Sequence, residues 1–139
     1  MLILMQGASG SGKSTIANFI KHGIGKHRNI PCYIFSADDY FMTSDGTYHF
    51  DQSKLSNAHQ NCYDLVMHVI QWNWNDDVCV IVDNTNTRKW EAQKYIDLAM
   101  EFGHTVQVVR VDSYCFQSTH DVPAEVVKQQ RKRMEDLLS

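Results

Sequence analysis

Apolar residues recur along this chain in two rhythms. Nearly unbroken apolar runs at 2–5, 32–35, 78–82 and 106–111 read as four strands, the first three continuous enough to be covered on both faces. Between them the apolar positions fall at helical spacing. Ile16, Phe19 and Ile20 form one stripe, with Gly23 placed as a C-cap. Leu55, Ala58, Cys62, Leu65, Val66 and Val69 form a second stripe. Ala92, Tyr95, Ile96, Ala99 and Phe102 form a third, closed by Gly103. Pro123 suits the first turn of a last helix whose inward residues are Val127, Met134 and Leu138. Strands alternating with helices predict an α/β fold, a four-stranded parallel sheet flanked by helices on both faces. Ligands of such sheets bind beyond the carboxyl ends of the strands, so the residues after each strand carry the information.

Composition narrows the picture modestly. With 139 residues, 43% hydrophobic and 21% charged, the chain is expected to form one domain, 1–139, with a core of its own. The apolar start M-L-I-L-M lacks the basic and long apolar regions of a signal peptide, and no run reaches membrane-spanning length. Cys32, Cys62, Cys79 and Cys115 are widely spaced, as structural thiols of a reducing compartment are. A cytoplasmic location is the expectation, the host cytoplasm for a phage-encoded chain. The net charge of −3, from 13 basic and 16 acidic residues, argues against extensive duplex binding, which draws most of its affinity from phosphate neutralisation. It leaves room for a narrow nucleotide or strand-end site.

The first strand is followed by G-A-S-G-S-G-K-S-T at 7–15, a full match to G-x-x-x-x-G-K-[ST]. Glycines let backbone amides turn inward around a phosphate, and the following helix adds its N-terminal partial charge. Ala8, Ser9, Gly10, Ser11, Gly12, Lys13, Ser14 and Thr15 are therefore the expected ATP-binding residues. Lys13 reaches the β- and γ-phosphates and Ser14 ligates Mg²⁺. The third strand runs into D-N-T-N at 83–86, where Asp83 stands as a strand-end carboxylate that holds Mg²⁺ with Ser14. A plain strand-end turn is the alternative for Asp83. The second strand leads to Asp38 and Asp39. Neither suits direct contact with phosphate, since like charges repel, but a carboxylate here can accept the proton of an attacking hydroxyl. One of the pair is expected to do so and the other to cap the following turn.

Taken with D-D-Y-F at 38–41, these motifs make the chain resemble the polynucleotide kinase family of P-loop phosphotransferases, over nearly its whole length. It is similar to phage 5′-hydroxyl kinase domains and more so to kinase-like modules of certain animal proteins. L-S-N-A-H (55–59), W-E (90–91), and H-D-V-P through R-M-E (120–135) extend the likeness. The resemblance implies a P-loop kinase fold with a lid before the C-terminal helix. It implies Lys13, Asp38, Asp83 and Arg133 as catalytic residues, with Asp38 the general base and Asp39 orienting its loop.

Two positions depart from the family. Phe41 stands where the phage enzymes carry an arginine that grips the acceptor's phosphate; an aromatic can stack on a base but cannot clamp a phosphate. Gln117 stands in the lid where an arginine would neutralise the transferring phosphoryl group. Candidate replacements are Arg110, Lys128, Arg131, Lys132 and Arg133, against the plain reading of a solvated helix face for most of them. His120 in the lid is a further donor. His59 aligns with a family helix histidine but reads equally as a surface residue. Tyr40, Phe41, Tyr48 and Phe50 form either an aromatic wall or part of the core. The expected activity is ATP- and Mg²⁺-dependent transfer to a hydroxyl, foremost the 5′-hydroxyl of a polynucleotide or nucleotide. A modified base, nucleoside or small metabolite is the alternative acceptor, and a catalytically weak nucleotide-binding module the alternative class.

Overall fold

A computed structural model describes residues 1–73, 77–112 and 122–138. Four strands, β1 (Leu2–Gln6), β2 (Cys32–Phe35), β3 (Cys79–Val82) and β4 (Val106–Arg110), form one parallel sheet in the order β2-β3-β1-β4. Their limits match the apolar runs to within one residue. The register sets Leu2 opposite Val80 and Val106, and Cys32 opposite Cys79. Side chains of a strand alternate between faces, so this register sorts the core into two layers. Leu2, Leu4, Val80 and Val82 face one side, while Ile3, Met5, Cys79 and Ile81 face the other. Every one of these eight side chains is buried, which explains why β1 and β3 read as continuous apolar runs; β2, expected to be covered on both faces as well, is an edge strand with Tyr33 42% exposed.

Helix α1 (Lys13–Arg28) covers the second layer through Ala17, Ile20 and Ile24. The expected stripe is displaced by one residue: Phe19 is 80% exposed and Ile16 37%. The helix also continues past Gly23 and ends at Asn29, whose φ of 52° supplies the left-handed cap expected of glycine. Glycine inside a helix costs about 1 kcal/mol relative to alanine, an amount that packing of Ile24 against the sheet offsets.

Helices α2 (Leu55–Trp72) and α3 (Lys89–Glu101) cover the first layer. Ala58, Cys62, Val66 and Ile70 recur every four residues and are buried; Leu65, expected inward, is 42% exposed. In α3 the expected Ala92, Tyr95, Ile96 and Ala99 are all buried, and Gly103 (φ 72°) follows the helix end. None of these helices is long and apolar enough to cross a membrane.

Helix α4 (Ala124–Lys132) begins just after Pro123, which is the N-cap rather than part of the first turn. Its buried residue is the polar Gln130, and Val127 is half-buried. Because the helix stops at Lys132, the following tail no longer follows helical spacing. Leu137 is buried, whereas Leu138, expected inward, is 57% exposed. The expected lid, with Cys115, Gln117 and His120, lies outside the described residues.

The tail assignment has a direct consequence for stability. Leu137→Ala leaves a cavity beneath the sheet and should cost about 2–5 kcal/mol, whereas Leu138→Ala should stay within about 0.5 kcal/mol. Urea denaturation of the two variants checks this; equal losses would contradict the placement.

Candidate functional site

Residues 7–12 connect β1 to α1 at the carboxyl edge of the sheet. Gly10 (φ 79°) and Gly12 (φ 92°) take left-handed conformations that other residues adopt only with strain. Ser11 N–H donates to Ala8 C=O at 3.1 Å, closing the loop on itself. Gly7 meets a different constraint: a Cβ there would stand 2.6 Å from Ser11 Oγ and 2.9 Å from the Val111 carbonyl. Gly12 is the N-cap and has no side chain to satisfy the first turn, whose first intrahelical bond is Ile16 N–H to Gly12 C=O. The amides of Lys13, Ser14 and Thr15 are thus open to an anion, reinforced by the helix dipole. Lys13 is half-buried at the start of that turn, with Ser14 and Thr15 exposed beside it.

One amide of the loop is already engaged. Ser9 N–H donates to Gln130 Oε1 at 2.9 Å, tying the loop to α4. Nothing in the helical pattern distinguishes Gln130, and sequence reasoning did not select it.

Asp83 follows β3, the neighbour of β1, and is buried. Ser14 Oγ donates to its Oδ2 at 2.6 Å, so the two expected metal ligands are in contact. The second oxygen, Oδ1, is buried with no hydrogen-bond partner among the described residues. A hydroxyl and a carboxylate oxygen beside a phosphate-binding loop match what Mg²⁺ takes, namely one or two protein oxygens completed by substrate phosphates and water. The residues present fit the ion.

Asp38 and Asp39 lie in a 3₁₀ turn, Ala37–Phe41, after β2. Ser36 is its N-cap: its hydroxyl accepts from Asp38 N–H, and Asp39 Oδ2 accepts from Ser36 N–H at 3.2 Å. This reciprocal arrangement is a capping box, so Asp39 is the member of the pair that caps. Asp38 is half-buried, and Tyr48 Oη donates to its Oδ1 at 3.1 Å. Burial, and then the charge of Asp38, push the Tyr48 hydroxyl up to about 12. His59 on α2 is drawn below its ordinary value by burial and by Lys94, opposed by Glu91 and Asp38. It therefore lies within electrostatic reach of Asp38 rather than on a remote surface.

The turn is held by a residue whose part the D-N-T-N motif did not reveal. Asn84 is buried; its Oδ1 accepts from Ala37 N–H at 2.8 Å and its Nδ2 reaches Cys62 Sγ at 3.7 Å. One side chain joins the β3 end, the Asp38 turn and α2. Neighbouring strands lie about 4.8 Å apart, so β2 and β1, separated by β3, set the Asp38 turn roughly 10 Å from the phosphate loop.

Phe41 corrects an expectation. It is 5% exposed and packs edge-on against Tyr40, Tyr48 and Phe50, so it belongs to the core and is not available to stack on an acceptor base. Tyr40 and Phe50 are exposed, at 41% and 53%. With Met42, His49 and Lys54 they border a groove of about 320 Å³.

The cationic candidates separate by position. Arg110 pairs with Asp112 at 3.1 Å, both exposed. Lys128 and Lys132 are exposed on α4, as a solvated face would be, and Arg131 is half-buried. Arg133 caps the end of α4, and its Nε donates to Thr87 Oγ1 at 3.1 Å, through a bond that does not use its terminal guanidinium nitrogens. Glu135, two residues on, accepts from the Lys89 amide at 2.7 Å and from Arg88 Nη1 at 3.0 Å. It thereby caps α3. The R-M-E tail thus braces the loop between β3 and α3.

A family described as an AAA domain matches residues 2–137. The uncharacterized protein PM0531 of Pasteurella multocida is 29% identical over 130 residues, covering 91% of this chain and 72% of that protein. Human NEDD4-binding protein 2 is 30% identical over 114 residues, 82% of this chain but 6% of that much longer protein. Among solved structures, Chaetomium thermophilum Kti12 in complex with ADP-AlF3 superimposes with a TM-score of 0.72 at 16% identity, covering 98% of this chain and 81% of that one. The Mycobacterium tuberculosis APS kinase CysC, in complex with AMPPNP and APS, gives 0.59 at 15% identity over 80% of this chain and 61% of that one. At such identities the likeness concerns the fold, a P-loop nucleotide-binding kinase-like one.

Two measurements test this geometry. Gly7→Ala drives a methyl group against the fixed Val111 carbonyl and should weaken ATP binding at least about tenfold by calorimetry; unchanged affinity would refute the close approach. Bonds from Lys89 and Arg88 hold Glu135 below the usual carboxylate range. The stability they contribute is therefore complete above the ordinary glutamate value, about 4.3, and disappears as pH falls through the depressed one. The stability gap between wild type and Glu135→Gln should be constant near neutrality and close on acidification.

Proposed function

The chain belongs to this AAA-domain family, and on that premise we propose that it transfers the γ-phosphoryl group of ATP, with Mg²⁺, to a hydroxyl acceptor. The observation that carries the proposal is the placement of Asp38. It projects from the carboxyl edge of the same sheet as the phosphate loop, held by Asn84 and Tyr48, while its neighbour Asp39 is occupied as a cap. A carboxylate built into position two strands from an anion site suits proton acceptance better than phosphate binding.

In this reading the loop amides, Lys13 and the α1 N-terminus bind the phosphates. Ser14 and Asp83 would hold Mg²⁺, which supplies charge neutralisation at the β- and γ-oxygens. Asp38 takes the proton of the attacking hydroxyl, the new bond forms from that oxygen to the γ-phosphorus, and the bond to the β,γ-bridging oxygen breaks to release ADP. Arg133 is assigned the neutralising cation of the transferring group. Positioning and electrostatics supply the rate, since phosphoryl transfer needs little covalent help.

The acceptor assigned first is the 5′-hydroxyl of a polynucleotide end or nucleotide, supported by the ordered set of loop, D-D-Y-F and D-N-T-N. Burial of Phe41 favours a second acceptor class. With no phosphate clamp at this position, a nucleoside, modified base or small metabolite fits equally, as APS does for the APS kinase that shares this fold.

Incubation with γ-labelled ATP, Mg²⁺ and a panel of 5′-hydroxyl DNA, 5′-hydroxyl RNA, modified-base DNA and nucleosides tests the proposal. Label should appear on at least one acceptor. Asp38→Asn should reduce that transfer by about 10²–10⁴-fold while nucleotide affinity holds, and Asp39→Ala should reduce it less. ATP binding without label on any acceptor would leave a nucleotide-binding module as the better description.

A further inference from the structure

We propose that Gln130 is a positioning residue of the nucleotide site, its uncharged carboxamide fixing the Ala8–Ser9 peptide so that the loop keeps its shape for phosphate. This inference rests on the reading of residues 7–15 as the ATP phosphate site.

Helix α4 is seated on the sheet by a polar side chain. Gln130 is 9% exposed and is the buried residue of the helix, while Ala124, Val126, Lys128, Gln129 and Lys132 face solvent. Leucine or methionine would serve packing better, because a buried carboxamide is costly unless its polar atoms are bonded. The bond from Ser9 N–H to Gln130 Oε1, at 2.9 Å, offsets that cost. A backbone N–H can only donate, so it is the carboxamide oxygen that faces the loop.

The segment bearing Gln130 is pinned to the strand that bears the loop. Gln6, the last residue of β1 and 1% exposed, donates through Nε2 to the Asn86 carbonyl at 3.1 Å and to the Glu135 carbonyl at 2.5 Å. Glu135 N–H donates to the Thr87 carbonyl at 2.6 Å. These bonds fix the place of α4 relative to residue 9.

The Ala8–Ser9 peptide is held from both sides. Its N–H meets Gln130, and its carbonyl accepts from Ser11 N–H at 3.1 Å. The N–H and C=O of a trans peptide point in opposite directions across one rigid plane, so the two bonds together define its orientation. Turning the peptide over would break both of them. The bond to Gln130 also engages Ser9 N–H and leaves phosphate to the amides beyond it, at Lys13, Ser14 and Thr15.

The choice of residue follows from charge. Glutamate would offer a similar acceptor oxygen but would set a negative charge beside a phosphate site. Glutamine supplies the oxygen without the charge.

Two substitutions separate orientation from packing. Gln130→Met keeps the length and bulk of the side chain but lacks the oxygen, whereas Gln130→Glu keeps the oxygen and adds the charge. Calorimetry with ATP and Mg²⁺ should show binding about 3- to 10-fold weaker than wild type for Gln130→Met, by the same factor at low and high salt. Gln130→Glu should lose about tenfold or more at low salt and regain much of it as salt screens the repulsion. Amide exchange without nucleotide gives the local readout. Ser9 N–H should be protected in wild type and Gln130→Glu, and should exchange faster in Gln130→Met. Val66→Ala, a core truncation on α2, is the control and should lower Tm with ATP affinity unchanged. Wild-type ATP affinity or unchanged Ser9 exchange in Gln130→Met overturns the role. An equal loss of affinity in Val66→Ala also overturns it, in favour of a general effect of stability, as does a Gln130→Glu loss that salt leaves untouched. Failure of the underlying reading has a different signature: wild type binds no ATP, or Lys13→Ala binds it as tightly as wild type.

Discussion

The amide of Ala37 lies in the dry interior where β2 turns over the sheet, and its hydrogen bond goes to the side chain of Asn84. An unpaired buried amide costs on the order of 1–3 kcal/mol, so the turn bearing Asp38 can sit where it does only because that acceptor is present. Asn84 in turn follows directly on Asp83, which touches Ser14 of the phosphate loop. A side-chain carboxylate and a side-chain amide, adjacent in sequence, therefore point to opposite halves of one site. The spacing between the phosphate loop and the Asp38 turn is set by this dipeptide at the end of a central strand, whose rigidity comes from four fully buried residues, Cys79 to Val82.

The two halves are built by different means. The half around the glycine loop is backbone: two left-handed glycines, a glycine with no room for a Cβ, and a helix start without a capping side chain. The half around the Asp38 turn is side chain upon side chain, with Tyr48, Asp38, Asn84 and Cys62 each taking part in a hydrogen bond with another group of this set or with the turn.

That difference accounts for how much could be read in advance. Backbone requirements leave a spaced signature, so the tight glycine turn after β1, the parallel sheet and the place of Asp83 at the end of β3 are legible from residue order. The two central strands, β1 and β3, are legible too, because burial on both faces leaves unbroken apolar runs. Where partners are far apart in sequence, legibility failed. Nothing near Gln130 indicates that it meets Ser9, and nothing near Tyr48 indicates that it meets Asp38. Phe41 could be read as wall or core because an aromatic beside a site serves either purpose until its exposure is known. The α1 stripe misled for a simpler reason: Phe19 is the most apolar-looking residue of its turn, yet the small Ala17 is what close approach to the sheet demands. Helical spacing favours Leu138 as the inward residue, but the helix ends at Lys132 and the tail beyond it turns Leu137 inward instead.

The bond from Ser9 to Gln130 spans 121 residues, and that from Gln6 to the carbonyl of Glu135 spans 129. Chains are synthesised from the N-terminus at about 5–20 residues per second. The glycine loop therefore leaves the ribosome well before its partner on α4 does. Until that segment arrives, Gln6 is held only by the Asn86 carbonyl and Ser9 N–H lacks the Gln130 side chain, so the loop is without its brace from α4. The bracing that α4 gives the loop is in this way deferred until the 121-residue separation between them has been made.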